Sequence, residues 1–218
     1  MDININYNPT VITELCKIMK KNNSDKSCGK HNYTTFYYEI FKNVKDKNLQ
    51  IFELGLGTNN TNLLSNMGPN GTPGASLRGW RDFFQYSDIY GADIDKNILF
   101  EETKIKTFYC DQLKKDDIQN LWENNNLPDK FDIIIEDGLH TFDAQVNFFE
   151  NSIHKIKNDG VYITEDIHLC DINRFKNKIL EWNNNYPILE FRLEVIPNTI
   201  NQLDNIVMCV QYKKYDHN

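Results

Sequence analysis

Apolar positions in this chain come in short blocks whose spacing switches back and forth between that of strands and that of helices. Compact runs of apolar and β-branched residues bounded by polar ones predict strands at residues 50–54, 88–92, 105–109, 132–136, 161–165, 191–196 and 206–211. Helical spacing appears over residues 10–20, through Val11, Ile12, Leu15, Ile18 and Met19, with Thr10 as the expected N-cap. It recurs over residues 33–41, through Phe36, Tyr37, Ile40 and Phe41, and over residues 142–156 and 173–182. Trp80, Phe83 and Phe84 are spaced for core packing on one more helix. Alternation of this kind predicts an α/β fold built on a doubly wound, mostly parallel sheet. The last two strands, joined by a loop over residues 197–205, predict an antiparallel hairpin at the C-terminal edge. Residues 65–77 are rich in Gly, Pro and Asn and read as a long binding loop or lid.

Two strands end in acid. Ile133-Ile134-Ile135 runs into Glu136-Asp137-Gly138-Leu139-His140, and Val161-Tyr162-Ile163-Thr164 runs into Glu165-Asp166-Ile167-His168. In a parallel sheet the C-terminal ends gather at one edge, where ligands bind. Carboxylates crowded there repel one another unless a cation or a proton offsets them. Asp137, Glu165 and Asp166 are therefore candidate ligands for a hard divalent ion, Mg2+ or alternatively Mn2+. A second reading has Glu165 and Asp166 capping the next helix; the clustering of acidic strand ends favours the metal. His140, three residues after Asp137, titrates in the range a general base needs, against the plainer reading of a helix-start residue. His168 is its competitor, standing behind the ligands or touching an acceptor. His31 and His154 have no such setting, and Asp143 and Gln145 read equally as acceptor contacts or as a solvated helix face.

Gln50-Ile51-Phe52-Glu53-Leu54 opens into Gly55-Leu56-Gly57, where the glycines let backbone approach a ligand and a following helix start would offer N–H groups. The third position of a dinucleotide fingerprint is Asn60, which disfavours a nicotinamide enzyme. Asp93 ends the next strand where ribose hydroxyls are usually bound, and Asp111-Gln112 end the third, placed for a purine edge. Three such ends in register favour a nucleoside cofactor over incidental surface acids.

A net charge of -7 argues against nucleic acid as a partner. The five cysteines are odd in number, scattered and without a C-x-x-C pair, so neither a disulfide framework nor a zinc ribbon is expected. No membrane-length apolar run and no signal-peptide pattern is present, and a cytoplasmic location is the expectation.

Glu53-Leu54-Gly55-Leu56-Gly57, Asp93, Asp111-Gln112 and Glu136-Asp137 resemble the successive motifs of class I S-adenosylmethionine-dependent methyltransferases. More narrowly, Asp25-Lys26, His31-Asn32-Tyr33-Thr34, Ser76-Leu77-Arg78-Gly79-Trp80, Asp137-Gly138-Leu139-His140 and Glu165-Asp166 are similar to the macrocin and mycinamicin sugar O-methyltransferases, covering residues 25–168. That resemblance implies a transferase using S-adenosylmethionine and Mg2+ to methylate a sugar hydroxyl on a nucleotide sugar, surface polysaccharide or glycosylated metabolite. It implies cofactor contacts from Tyr33, Thr34, Glu53, Gly55, Gly57, Ser76, Asp93, Asp111, Gln112 and Asp137, a metal on Asp137, Glu165 and Asp166, and His140 as catalytic base. Arg78 and His168 fall on the acceptor side. Residues 1–45 would form part of a lid, residues 46–218 the cofactor-binding domain, and the chain would assemble as a homo-oligomer. The rival expectations are a catechol-like or nitrogen acceptor, and an inactive cofactor-binding partner subunit.

Overall fold

The structure is a computed structural model that describes residues 1–124 and 126–214. Eight strands form one sheet: β1 (Gln50–Leu54), β2 (Asp88–Asp93), β3 (Glu101–Glu102), β4 (Ile105–Tyr109), β5 (Phe131–Glu136), β6 (Ile156–Ile167), β7 (Leu189–Val195) and β8 (Ile206–Tyr212). Their spatial order is β3-β4-β2-β1-β5-β6-β8-β7. The five strands from β4 to β6 are parallel; β3, and the β7–β8 hairpin at the other edge, are antiparallel to their neighbours. The doubly wound, mostly parallel sheet with its C-terminal hairpin is thus as the apolar pattern predicts. The order reverses between β1 and β5, the place where such sheets open a crevice.

Side chains alternate across the strands and feed two cores. On one face Ile51, Ile89, Ile133, Ile135 and Val161 pack under helices α1 (Glu14–Lys21), α2 (Tyr33–Phe41) and α3 (Ala75–Phe83), with Phe36, Tyr37, Trp80 and Phe84 fully buried. On the other, Phe52, Ile134 and Tyr162 pack under α4 (Lys115–Trp122), α5 (Phe142–Ser152) and α6 (Ile172–Asn185). Residues 1–45 share the first core, so they are structurally continuous with the sheet.

Four local expectations change. The first helix is capped by Thr13, whose side chain accepts from the Cys16 N–H, while Thr10 is held in a turn by Asn8. The two-residue strand β3 has no apolar signature. No helix follows Gly57; residues 55–74 are irregular and the next helix begins at Ala75. Cys16 and Cys28 form a disulfide, with Cα atoms 5.9 Å apart, because the chain leaving α1 doubles back along it. The cysteine count concealed this bridge: it gives no motif when the partners belong to neither a framework nor a metal site.

Candidate active site

At the C-terminal ends of β1, β2, β4, β5 and β6 the loops surround a cavity of about 500 Å³. Gly55, at φ +94°, lets β1 turn under it; a Cβ there would overlap the Asp137 carbonyl. Gly57, Ser76, Asp93, Asp111 and Gln112 continue the wall, followed by Asp137, His140 and Asp166 at the other end. Tyr33, Thr34, Glu53 and Glu165 are buried behind that wall. Arg78 and His168 stand outside it. Arg78 pairs with Glu102 at 2.7 Å and covers Phe100, and the His168 ring lies against Cys170. Neither placement supports the acceptor role expected of them.

At the nucleoside end, Asp93 accepts the Leu56 N–H at 2.7 Å and the Asp95 N–H at 2.8 Å. A carboxylate has about four lone-pair positions, so each oxygen still has capacity for a ligand hydroxyl. Gln112 is fixed from both sides, donating to Glu136 at 3.0 Å and accepting from the Leu139 N–H at 2.5 Å. Ile94 and Leu113, both in the wall, are 46% and 57% exposed, an apolar pair beside these polar groups that suits a flat ring. Glu53 accepts from Ser76 and from the Trp80 indole, so it acts on the cavity through Ser76 rather than by lining it.

The acidic end holds its charges in a defined network. Lys26, only 1% exposed, lies 2.5 Å from Asp137 Oδ2, 2.5 Å from Glu165 Oε2 and 3.7 Å from Glu53 Oε1. The Tyr37 hydroxyl donates to Glu165 Oε1 at 2.7 Å, and Gln145, a buried residue rather than a solvated one, donates to the Glu165 carbonyl at 2.7 Å. Each Glu165 carboxylate oxygen thus accepts from one protein donor and, like the Asp93 oxygens, keeps lone-pair capacity for a further ligand. Asp166 sits at φ +52°, beside an irregularity in the β6–β8 register, and that bend turns its carboxylate into the cavity. Tyr33 donates to Asp166 Oδ1, and His31 lies 3.2 Å from the same oxygen. His140 Nε2 lies 3.3 Å from Asp137 Oδ1 and 3.4 Å from Asp166 Oδ2.

These surroundings set the protonation states. Burial works against the His140 imidazolium, but Asp166 and Asp137 outweigh it and lift its pKa to about 10. His31 follows the same balance and rises to about 9 through Asp166. Burial opposes a charged Lys26 too, and the carboxylates of Asp137, Glu165 and Glu53 overcome it, keeping the ammonium charged. Asp137 is held below the usual carboxylate range: burial opposes this, and Lys26 and His140 prevail. Lys26, Tyr37 and His31 are the parts of this network that sequence reasoning missed; only the likeness of Asp25-Lys26 and His31 to a known motif hinted at two of them. Asp137, His140 and Asp166 bring one donor atom each within 4.8 Å of one another, as do His31, Asp166 and Asp204. Partly buried, with two carboxylate oxygens and one imidazole nitrogen converging, the first of these groups fits a hard divalent cation.

No protein-family model matches the chain. It resembles curated sugar O-methyltransferases. The 8-demethyl-8-alpha-L-rhamnosyl tetracenomycin-C 2'-O-methyltransferase of Streptomyces olivaceus is 28% identical over 153 residues, 70% of this chain and 37% of that protein. The demethylmacrocin O-methyltransferase of Streptomyces fradiae is 30% identical over 137 residues, 63% of this chain and 32% of that protein. The match thus spans only about a third of the length of these relatives. Among solved structures, the MycE methyltransferase of the mycinamycin biosynthetic pathway, in complex with Mg and SAH, superposes with a TM-score of 0.72 at 21% identity, covering 95% of this chain and 57% of that one. That likeness establishes the fold, a Rossmann-like methyltransferase sheet.

Proposed function

We propose that this chain, which carries the methyltransferase fold and resembles sugar O-methyltransferases, is a metal-dependent S-adenosylmethionine O-methyltransferase acting on a sugar hydroxyl. One observation carries the reading: a single cavity joins a nucleoside-type wall, Gly55 to Gln112, to an acidic end where Asp137, Asp166 and His140 converge. When bound, S-adenosylmethionine supplies an electrophilic methyl group, and Mg2+ or Mn2+ makes an acceptor hydroxyl more acidic. Gly55 and Gly57 admit the cofactor, Asp93 binds its ribose, and Asp111 and Gln112 meet its base. Ser76, held by Glu53, is assigned to the amino-acid end. Tyr33 and Thr34 support this wall from behind.

Asp137, Glu165 and Asp166 would hold the cation. His140 takes the acceptor's proton at Nε2, which requires that it first give up the proton its two carboxylates favour. Fixing the acceptor in line with the methyl supplies much of the rate in such reactions. Residues 1–45 serve as a lid, a role supported by Ser24, Asp25 and His31 in the cavity wall. We further assign self-association. The acceptor is a sugar or glycan.

The test is product mass spectrometry after incubation with isotopically labelled cofactor and a panel of nucleotide sugars, glycosylated metabolites and catechols, with and without chelator. Labelled sugar product that disappears with chelator and returns with Mg2+ is expected. Full turnover in excess chelator would sink the metal dependence, and transfer to catechols alone would replace the acceptor class.

A further inference from the structure

Glu136 ends β5 with no exposed surface, a place where a carboxylate is costly unless it answers donors. Both donors it answers belong to the cavity wall: Gln112 Nε2 at 3.0 Å and the Gly138 N–H at 3.3 Å. Gln112 is held on its other side as well, where its Oε1 accepts the Leu139 N–H at 2.5 Å. A backbone N–H can only donate, so the amide oxygen lies on that side and the NH2 group points to Glu136. The rest of Gln112 is equally confined. Asn147 Nδ2 donates to its backbone carbonyl at 2.7 Å, and a Cβ at Gly138 would overlap its Oε1. A side-chain amide has two N–H groups and two lone pairs on its oxygen. Each contact uses one, which leaves Gln112 a donor beside an acceptor in the cavity wall.

We propose that Glu136 is a positioning residue for base recognition: together with the Leu139 N–H it holds the Gln112 amide in the orientation that matches adenine and mismatches hypoxanthine. This rests on the S-adenosylmethionine assignment above, in which Gln112 meets the cofactor's base. Adenine carries an amino donor at C6 beside ring-nitrogen acceptors, and a glutamine amide pairs with that pattern through two hydrogen bonds. Hypoxanthine carries an oxygen at C6, which would face the amide oxygen as a second acceptor. Half a turn of the amide would suit hypoxanthine, and Glu136 and Leu139 oppose that turn from opposite sides.

The test is calorimetric binding of S-adenosylhomocysteine and S-inosylhomocysteine, which differ only in this base, to the full chain and its variants. The wild type should favour S-adenosylhomocysteine by about 10- to 100-fold, the scale of a two-bond base contact. Glu136→Met, similar in size but without an acceptor, should bring the two affinities close together. Glu136→Gln, whose amide oxygen still accepts from Gln112, should keep the preference. Gln112→Met should erase it, because the reading group itself is gone. Loosening of the fold weakens both ligands alike, so the ratio is the measure. Should Glu136→Met not fold, Glu136→Asp, which draws the acid back by one methylene, takes its place and should lower the ratio. A ratio equal to the wild type's in the folded variant would overturn the positioning role, as would a wild type with no preference. Failure of S-adenosylhomocysteine to bind at all would overturn the cofactor assignment and this proposal with it.

Discussion

Asp166 adopts a left-handed backbone conformation that a non-glycine residue takes only at a cost. Its surroundings, Tyr33, His31 and His140, make that conformation worth holding, since all three reach its carboxylate. His140 is the residue on which the chemistry turns. His140→Ala should cut turnover by roughly 10²- to 10⁴-fold, the scale for a positioned general base, while S-adenosylhomocysteine binding persists. His168→Ala, outside the cavity, should do less; a larger loss there with folding intact would reverse the assignment. Wild-type turnover should rise with pH, because only the neutral imidazole accepts a proton, and the variant should lose that rise. Glu136 offers a test of stability instead. Burial lifts its pKa from 4.5 to about 7, with the Gln112 hydrogen bond only partly offsetting the shift. An acid whose folded pKa is raised contributes stability below its unfolded value and loses it as pH climbs through the folded one. Wild-type stability should therefore fall between pH 4.5 and about 7 by about 3 kcal/mol from this group. Glu136→Gln should flatten that decline in pH-dependent denaturant melts; an unchanged slope would refute it.

At the level of elements, the segment between α1 and α2 carries more of the site than its polar composition suggests. It presents Ser24, Asp25 and His31 to the cavity and Lys26 beneath it, and the Cys16–Cys28 bond ties it to α1. Denatured, unreduced protein should titrate for three free thiols, Cys110, Cys170 and Cys209. Reduction, or Cys28→Ser, should cost about 3 kcal/mol, the scale for a short closed loop; five titrating thiols would exclude the bond. The strands were legible because a buried strand is a short, largely apolar run between polar residues, and β5 and β8 show this most plainly. Helix starts were less so: Thr10 and Thr13 are chemically equal as caps, and only the fold decides between them. The segment of residues 55–74 was legible as a loop only from Ser65 onward, because the residues after Gly57 have nothing in their composition that forbids a helix.

Across the whole molecule, the acidic strand ends could be read from sequence because a parallel sheet gathers them whatever the loops do. Lys26 could not, since its partners Asp137 and Glu165 lie 111 and 139 residues further along the chain. Spacing patterns are blind to contacts of that length. Because the cavity draws its wall from several strand ends at once, a ligand filling it should stabilise the whole sheet. S-adenosylhomocysteine at 100 times its Kd should add about 2.7 kcal/mol to unfolding, readable by calorimetry; tight NAD binding with no response to S-adenosylhomocysteine would contradict the cofactor assignment. The long reach of Lys26 also bears on how the chain comes into being. A ribosome releases the lysine first and the two acids only after more than half of the protein has followed. Until β5 and β6 are made, that ammonium has no reason to leave water, so its burial should be among the last events of synthesis. A nascent chain stalled before Asp137 should leave Lys26 open to amine-labelling reagents, and the released protein should shield it.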